Sequence, residues 1–241
     1  MSDSRRHRAN RLLAGMRPDD FDAIAPHLES VELTPRGVLV EPGASLDHAY
    51  FPHSGAIGLV AALQRRSTQT ATIGPEGFLG FAALLGEATA TQRAQVQIAG
   101  AASRMKLQIL RGAVATRPAM ARLLRGYVRG FLVQALQAVA CTRSHTVHER
   151  CAFSLLMAHD RAGAESFSMT QELLAETLGI HRPSVTIVAR ALQKAEIIRY
   201  SRGTITVVDR PALEATSCQC YRVVRTALDE PLRRQARVGA G

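Results

Sequence analysis

"LGIHRPSVTIVARAL" (Leu178–Leu192) contains a helix break and a helix restart within a few residues. Before the break, Leu173, Leu174 and Leu178 recur at helical spacing, and after it Val185, Val188, Ala189 and Leu192 do the same. Gly179 and Pro183 stand between the two stripes. Thr170 is expected to cap a first helix, with Met169 as its apolar entry residue. Gly179 can end that helix in the left-handed conformation, which is strained for residues with a Cβ. Ile180 fills the angle, His181 falls near the second N-cap, and Pro183 lies in a first turn where a missing N–H is harmless. The second helix is expected to run to about Lys194. Two helices joined by a short glycine-containing turn make a helix-turn-helix. The second helix then carries Arg182, Thr186, Ile187 and Arg190 away from its apolar stripe, which suits reading base edges in a major groove.

Downstream, "EIIRYSRGTITVVD" (Glu196–Asp209) reads as two β-like runs joined by a tight turn at Gly203. This hairpin is expected to be a wing, with Arg199 and Arg202 meeting backbone phosphates. A last helix is expected near Pro211–Leu228, followed by a disordered basic tail over 229–241.

Upstream, Pro118 to about Ser144 holds no further proline and only two glycines. Leu124, Val128, Phe131, Leu132, Ala135 and Val139 recur there at helical steps, and Met120, Leu123, Tyr127 and Leu136 widen the stripe. The spacing predicts a helix of about 40 Å at 1.5 Å per residue. A stripe this broad suits pairing with a second copy of the helix.

Residues 20 to 110 are different. Short β-like runs such as "VELTPRGVLVEPG" and "TQRAQVQIAGAASRMKL" alternate with Gly and Pro, as in a small barrel or jelly roll. A short helix, about Asp19–Leu28, is expected to open this region.

The chain has 241 residues, 46% of them hydrophobic, with 30 Lys+Arg against 20 Asp+Glu and a net charge of +10. That excess favours a polyanionic partner. No apolar run is long enough for a transmembrane helix, and no signal-peptide segment is read, so a cytoplasmic protein is expected. The P-loop, G-x-S-x-G and H-E-x-x-H patterns are absent, so no enzyme is expected. Cys141, Cys151, Cys218 and Cys220 suit a reducing compartment. Cys218 and Cys220 are too close for an ordinary zinc half-site and no second Cys/His pair follows them, so no metal is expected. No cysteine precedes Cys141, which argues against a thiolate-held iron–sulfur cluster. His27, His48 and His53 leave a haem sensor as an alternative.

Taken together, the sequence resembles the Crp/Fnr superfamily of bacterial transcription regulators across nearly its full length. The resemblance rests on "NRLLAGM", "LVEPGASLDHAYFPHSG", "ATIGPEGFLGFAALLG", the long helix, and "MTQELLAETLGIHRPSVTIVARALQKAEII" followed by "GTITVVD". It implies an α+β chain: a cyclic-nucleotide-binding-like β-roll (1–112), a dimerisation helix (113–145), a winged helix-turn-helix (146–228) and the tail (229–241). The implied partners are a second copy of the chain, double-stranded DNA with half-sites about 34 Å apart, and RNA polymerase. No membrane partner is implied.

By the same resemblance, Thr170, Gln171, His181 and Ser184 match phosphate-contacting positions. Arg182 matches a guanine reader, while Pro183 and Ile187 replace the family's usual Glu and second Arg; Ile187 suits a thymine methyl group. Cyclic-nucleotide binders of the family carry Gly-Glu and, later, Arg-Ser/Thr-Ala. Here Gly80 is followed by Phe81, and Gln92 and Arg93 stand before Ala94, with Ala135 and Leu136 near the adenine-contacting place on the long helix. The effector pocket is therefore expected to be degenerate, without a cofactor and without tight binding of cyclic AMP. A strictly cyclic-nucleotide-responsive regulator is the alternative.

Overall fold

A computed structural model describes residues 3–63, 66–86 and 89–238. Two antiparallel sheets form the expected roll. One contains β1 (Glu29–Leu33), β7 (Gly100–Lys106) and β3 (His48–Pro52), with β7 in the middle. The other contains β2 (Val38–Val40), β6 (Arg93–Ile98), β4 (Ala56–Leu63) and β5 (Arg66–Ile73), in that order. β6 shows why these segments are strands. Ala94, Val96 and Ile98 are buried while the alternating Arg93, Gln95 and Gln97 are partly exposed, the period-two signature of a sheet with one wet face. Between the sheets, Phe51 stacks on Phe78 at 5.1 Å, and Tyr127 closes the layer.

Three short helices precede the roll: α1 (Asp3–His7), α2 (Arg11–Ala14) and α3 (Pro18–Ile24). Asn10 caps α2 by accepting from the Leu12 and Leu13 amides. The helix expected over Asp19–Leu28 is α3 followed by a 3₁₀ turn at Ala25–His27. α4 (Leu107–Thr116), which no cap or strong pattern announces, leads into α5 (Pro118–Ser144), the long helix at its expected bounds.

The second unit begins with α6 (Val147–Ala162), started by a reciprocal box in which Thr146 and Glu149 bond each other's amides. Then come β8 (Ser166–Ser168), α7 (Gln171–Leu178), α8 (Arg182–Lys194), β9 (Ile198–Ser201) and β10 (Thr204–Val207). The wing is thus a three-stranded sheet, β8-β10-β9, and not a hairpin alone.

The C-terminal reading needs correction. The helix expected over Pro211–Leu228 is two helices, α9 (Arg210–Thr216) and α10 (Cys220–Val238), separated by Ser217–Gln219. The tail assigned to 229–241 is ordered helix as far as Val238, so a boundary at 228 cuts through α10. α10 runs back along α5. A Cβ on Gly130 would lie 2.6 Å from the Ala227 carbonyl oxygen, and one on Gly126 would lie 2.9 Å from Pro231 Cβ. Two glycines one turn apart thus make the groove that admits α10. Arg11 joins α10 to α2 through a 2.5 Å ion pair with Asp229.

The two units also meet at a buried charge. Arg161 of α6 pairs with Glu76 of the roll at 2.7 Å, their side chains 5% and 9% exposed. The same guanidinium donates to Gln134 Oε1 at 2.8 Å and to the Thr72 carbonyl at 3.2 Å.

Candidate nucleic-acid interface

The helix-turn-helix forms as its local signals dictate. The Thr170 hydroxyl accepts from the Leu173 amide at 3.1 Å, capping α7. Gly179 ends α7 at φ 65°, and the Ile180 amide reaches back to the Ala175 carbonyl at 3.1 Å. α8 then starts with His181 as N-cap and Pro183 in its first turn. Val185, Val188, Ala189 and Leu192 are buried beneath it. The opposite face is open: Ile187 is 70% exposed, and Arg182 and Arg190 are exposed beside it.

Not every expected contact residue is free for DNA. Thr186 is half-buried and donates to Gln171 Oε1 at 2.7 Å, so this pair sets the angle between α7 and α8. The Gln171 amide N–H donates to the Tyr200 hydroxyl at 3.1 Å, and the Met169 amide to the Gly203 carbonyl at 2.8 Å; both fix the wing against α7. Ser184 is half-buried in the first turn of α8, and His181 is exposed. Arg182 leans toward Glu172 at 3.5 Å with both side chains about 60% exposed. A pair so exposed is worth about 0–1 kcal/mol, so a base edge can take Arg182 from it at little cost.

The wing presents its charge on a tight turn. Arg202 (φ 49°) and Gly203 (φ 81°) form a two-residue turn with both φ positive, between Ser201 and its partner Thr204. This is the primed turn whose twist matches a hairpin. Arg202 is exposed at the tip, and Arg199 is exposed on β9.

On α5 the buried and exposed faces separate cleanly. Leu124 is fully buried in the roll, and Phe131 is half-buried with its ring 4.4 Å from that of Phe81. Leu124, fully buried, leaves the expected seam, while Phe131 turns its ring toward the roll. Leu132, Leu136 and Val139 are 56%, 62% and 61% exposed, and Val128 and Ala135 are partly exposed. Val128, Leu132, Ala135 and Val139 follow one another at steps of four, three and four, away from the α10 groove.

The six expected effector positions do not converge on one cavity. Gly80, at φ 111°, starts a 3₁₀ turn that aims Phe81 at Phe131 and Tyr127. Gln92 accepts from the Thr70 hydroxyl at 2.6 Å, and Arg93 pairs with Glu41 at 2.9 Å, about half-exposed. Ala135 and Leu136 face outward on α5. A half-open space of about 110 Å³ lies beside β5, α5 and α6, bordered by Thr72, Gln134, Met157 and Arg161, and none of the six lines it. It is well below the 300–1,000 Å³ of usual small-molecule sites. As for a haem, the Nε2 of His53 is held by the Ser103 hydroxyl at 2.6 Å.

Residues 149–216 match the model of the Crp-like helix-turn-helix domain. No curated protein matches the chain. Among solved structures, it is similar to FixK2 from Bradyrhizobium japonicum, with a TM-score of 0.68 and 19% identity over 79% of this chain and 98% of that one. TTHA1359, a Crp/Fnr-family transcriptional regulator from Thermus thermophilus, superposes with a TM-score of 0.62 and 21% identity over 78% and 98%. The c-di-GMP-responsive global regulator CLP of Xanthomonas campestris gives 0.62 and 15% over 79% and 99%. Among the described residues, no helix is long and apolar enough to cross a membrane. With its exposed second helix, its wing and these likenesses, the chain has the fold of Crp/Fnr-type regulators, and residues 149–216 are its Crp-like helix-turn-helix domain.

Proposed function

We propose that the protein regulates transcription as a homodimer on a pseudo-palindromic operator, with binding rather than catalysis as its activity. The observation that carries this reading is the exposed apolar row Val128, Leu132, Ala135 and Val139 on α5, beside an exposed recognition helix. Alternating steps of four and three are the heptad seam of a two-stranded coil. Two copies joined along it carry two α8 helices, which suits half-sites about one helical turn of DNA apart. Arg182 and Ile187 read bases, Arg190 supports them, and Thr170, Gln171, His181, Ser184, Arg199 and Arg202 hold the backbone. RNA polymerase is the partner through which a bound dimer acts on a promoter.

The effector side is degenerate in this reading. Phe81 packs on Phe131 in the stretch where family nucleotide binders carry a Glu, and Arg93 is engaged by Glu41. Phe81 has no acceptor for a ribose hydroxyl and Gln92 carries no charge for a cyclic phosphate, so tight binding of cyclic AMP is not expected. Selection of bound duplexes from a random pool tests the whole proposal. The expected product is an inverted repeat bound by two chains. Recovery of sequences without a shared motif, or of one half-site bound by one chain, refutes it.

A further inference from the structure

Cys141 lies one turn before the end of α5, and His145 is the residue that caps it. Four residues apart on a helix, the two side chains share a face. Cys218 and Cys220 come from the link between α9 and α10 and from the first residue of α10, where the chain returns to α5. The three thiols are 3%, 4% and 0% exposed, and His145 is half-buried. Cys141 Sγ is 3.6 Å from Cys218 Sγ, and Cys220 Sγ is 3.5 Å from His145 Nδ1. All four ligand atoms lie within 4.8 Å of one another, and no other such group of ligands occurs among the described residues.

These separations have a chemical meaning. A tetrahedral zinc ion with Zn–S of about 2.3 Å and Zn–N of about 2.05 Å has S···S edges of about 3.8 Å and S···N edges of about 3.5 Å. The two measured separations agree with those edges to within a few tenths of an ångström. Thiols are weak hydrogen-bond donors and acceptors, so three of them buried together gain little from one another. As thiolates beside an imidazole, they are the soft, closed set that zinc prefers. An outer bond is present as well: Gln137 Nε2 donates to Cys220 Sγ at 3.1 Å. A Cys141–Cys218 disulfide would use only half the cluster, leaving Cys220 against His145 without explanation. The mutual distances also enclose one ion, not a cluster of several irons.

We propose that Cys141, His145, Cys218 and Cys220 form a closed, mononuclear Zn(II) site. Each thiol releases its proton to solvent as it ligates, and no oxidant or reductant is needed. The ion fastens the end of α5 to the start of α10. The close Cys218–Cys220 spacing hides the site in the sequence, because the partner pair lies far upstream and on a helix.

Metal analysis of the full-length protein, purified under reducing conditions with zinc supplied, is the test. One zinc per chain that survives dialysis is expected, with loss of that zinc in Cys218→Ser/Cys220→Ser and full retention in Cys151→Ser, whose thiol is buried on α6 away from the cluster. Should the double variant fail to fold, cobalt substitution of the unaltered protein decides. Visible bands of tetrahedral cobalt with thiolate-to-metal charge transfer support the site. Substoichiometric zinc, absence of those bands, zinc kept by the double variant, or a Cys141–Cys218 disulfide in freshly purified protein overturns it.

Discussion

Replacing Arg161 by Met tests the joint between the roll and the DNA-binding unit. The guanidinium makes two contacts to Glu76 Oε1, at 2.7 and 2.8 Å, and further bonds to Gln134 and the Thr72 carbonyl. Methionine approximates the length and apolar stem but removes every donor. Among the described residues, Glu76 then keeps the Gly74 amide, at 3.2 Å, while its side chain is 9% exposed. Breaking a buried pair in this way costs about 3–5 kcal/mol, against about 0–1 kcal/mol for an exposed one. Adding Glu76→Gln removes the orphaned charge, so the double variant should recover at least about 1 kcal/mol relative to the sum of the singles. Urea unfolding followed by circular dichroism measures all four proteins, with an unchanged slope confirming comparable end states. A loss below about 1 kcal/mol for Arg161→Met, or strict additivity, would refute the claim that this charge is dry and interlocked.

Leu132→Glu with Val139→Glu places charge on the exposed α5 row without touching the core, so light scattering should report a folded monomer; a persistent dimer would move the interface elsewhere. Arg182→Ala should cost about 1–3 kcal/mol on the selected operator and relax one base position, whereas Arg202→Ala should weaken all duplexes alike and flatten the salt dependence. Equal losses on operator and random DNA from Arg182→Ala would remove its base-reading role. Burial, and then the electrostatic influence of nearby His7 and Arg6, lower the pKa of His53 from 6.5 to about 4. The unfolded chain therefore binds this proton below about pH 6.5 while the folded one does not, and this contribution makes stability fall as pH drops from about 6.5 to about 4. The urea midpoint of His53→Asn should vary less across that window than that of the unaltered protein, and identical slopes would show that His53 titrates normally.

The parts legible in the sequence are those with local causes. Thr170, Gly179 and Pro183 punctuate the helix-turn-helix within their own few residues, and Gly203 does so for the wing. α10 was not legible for the opposite reason. Its seat on α5 is the groove at Gly126 and Gly130, which meets Ala227 and Pro231 a full domain away in sequence. The α5 stripe reads as one band in the sequence because helical spacing alone cannot tell which apolar residues face the roll. Leu124 and Phe131 do, Leu132 and Val139 do not. The surroundings of Arg93 follow the same rule, since the Arg93–Glu41 pair joins residues that no motif links.

The α10–α5 contact also changes what kind of object the DNA-binding unit is. The chain enters it just after Ser144 and leaves it at Cys218, and the two crossings meet where the Cys141 and Cys218 thiols lie 3.6 Å apart. The winged helix is thus a guest spliced into the host's own helix pair, not an appendage on its end. Guests whose ends adjoin can be excised or exchanged with a short bridge, leaving the host closed. A stop codon placed after the last residue of the guest is a different matter. It spares every residue proposed to contact DNA yet strips α5 of the helix that fills its glycine groove, so the damage falls on the host.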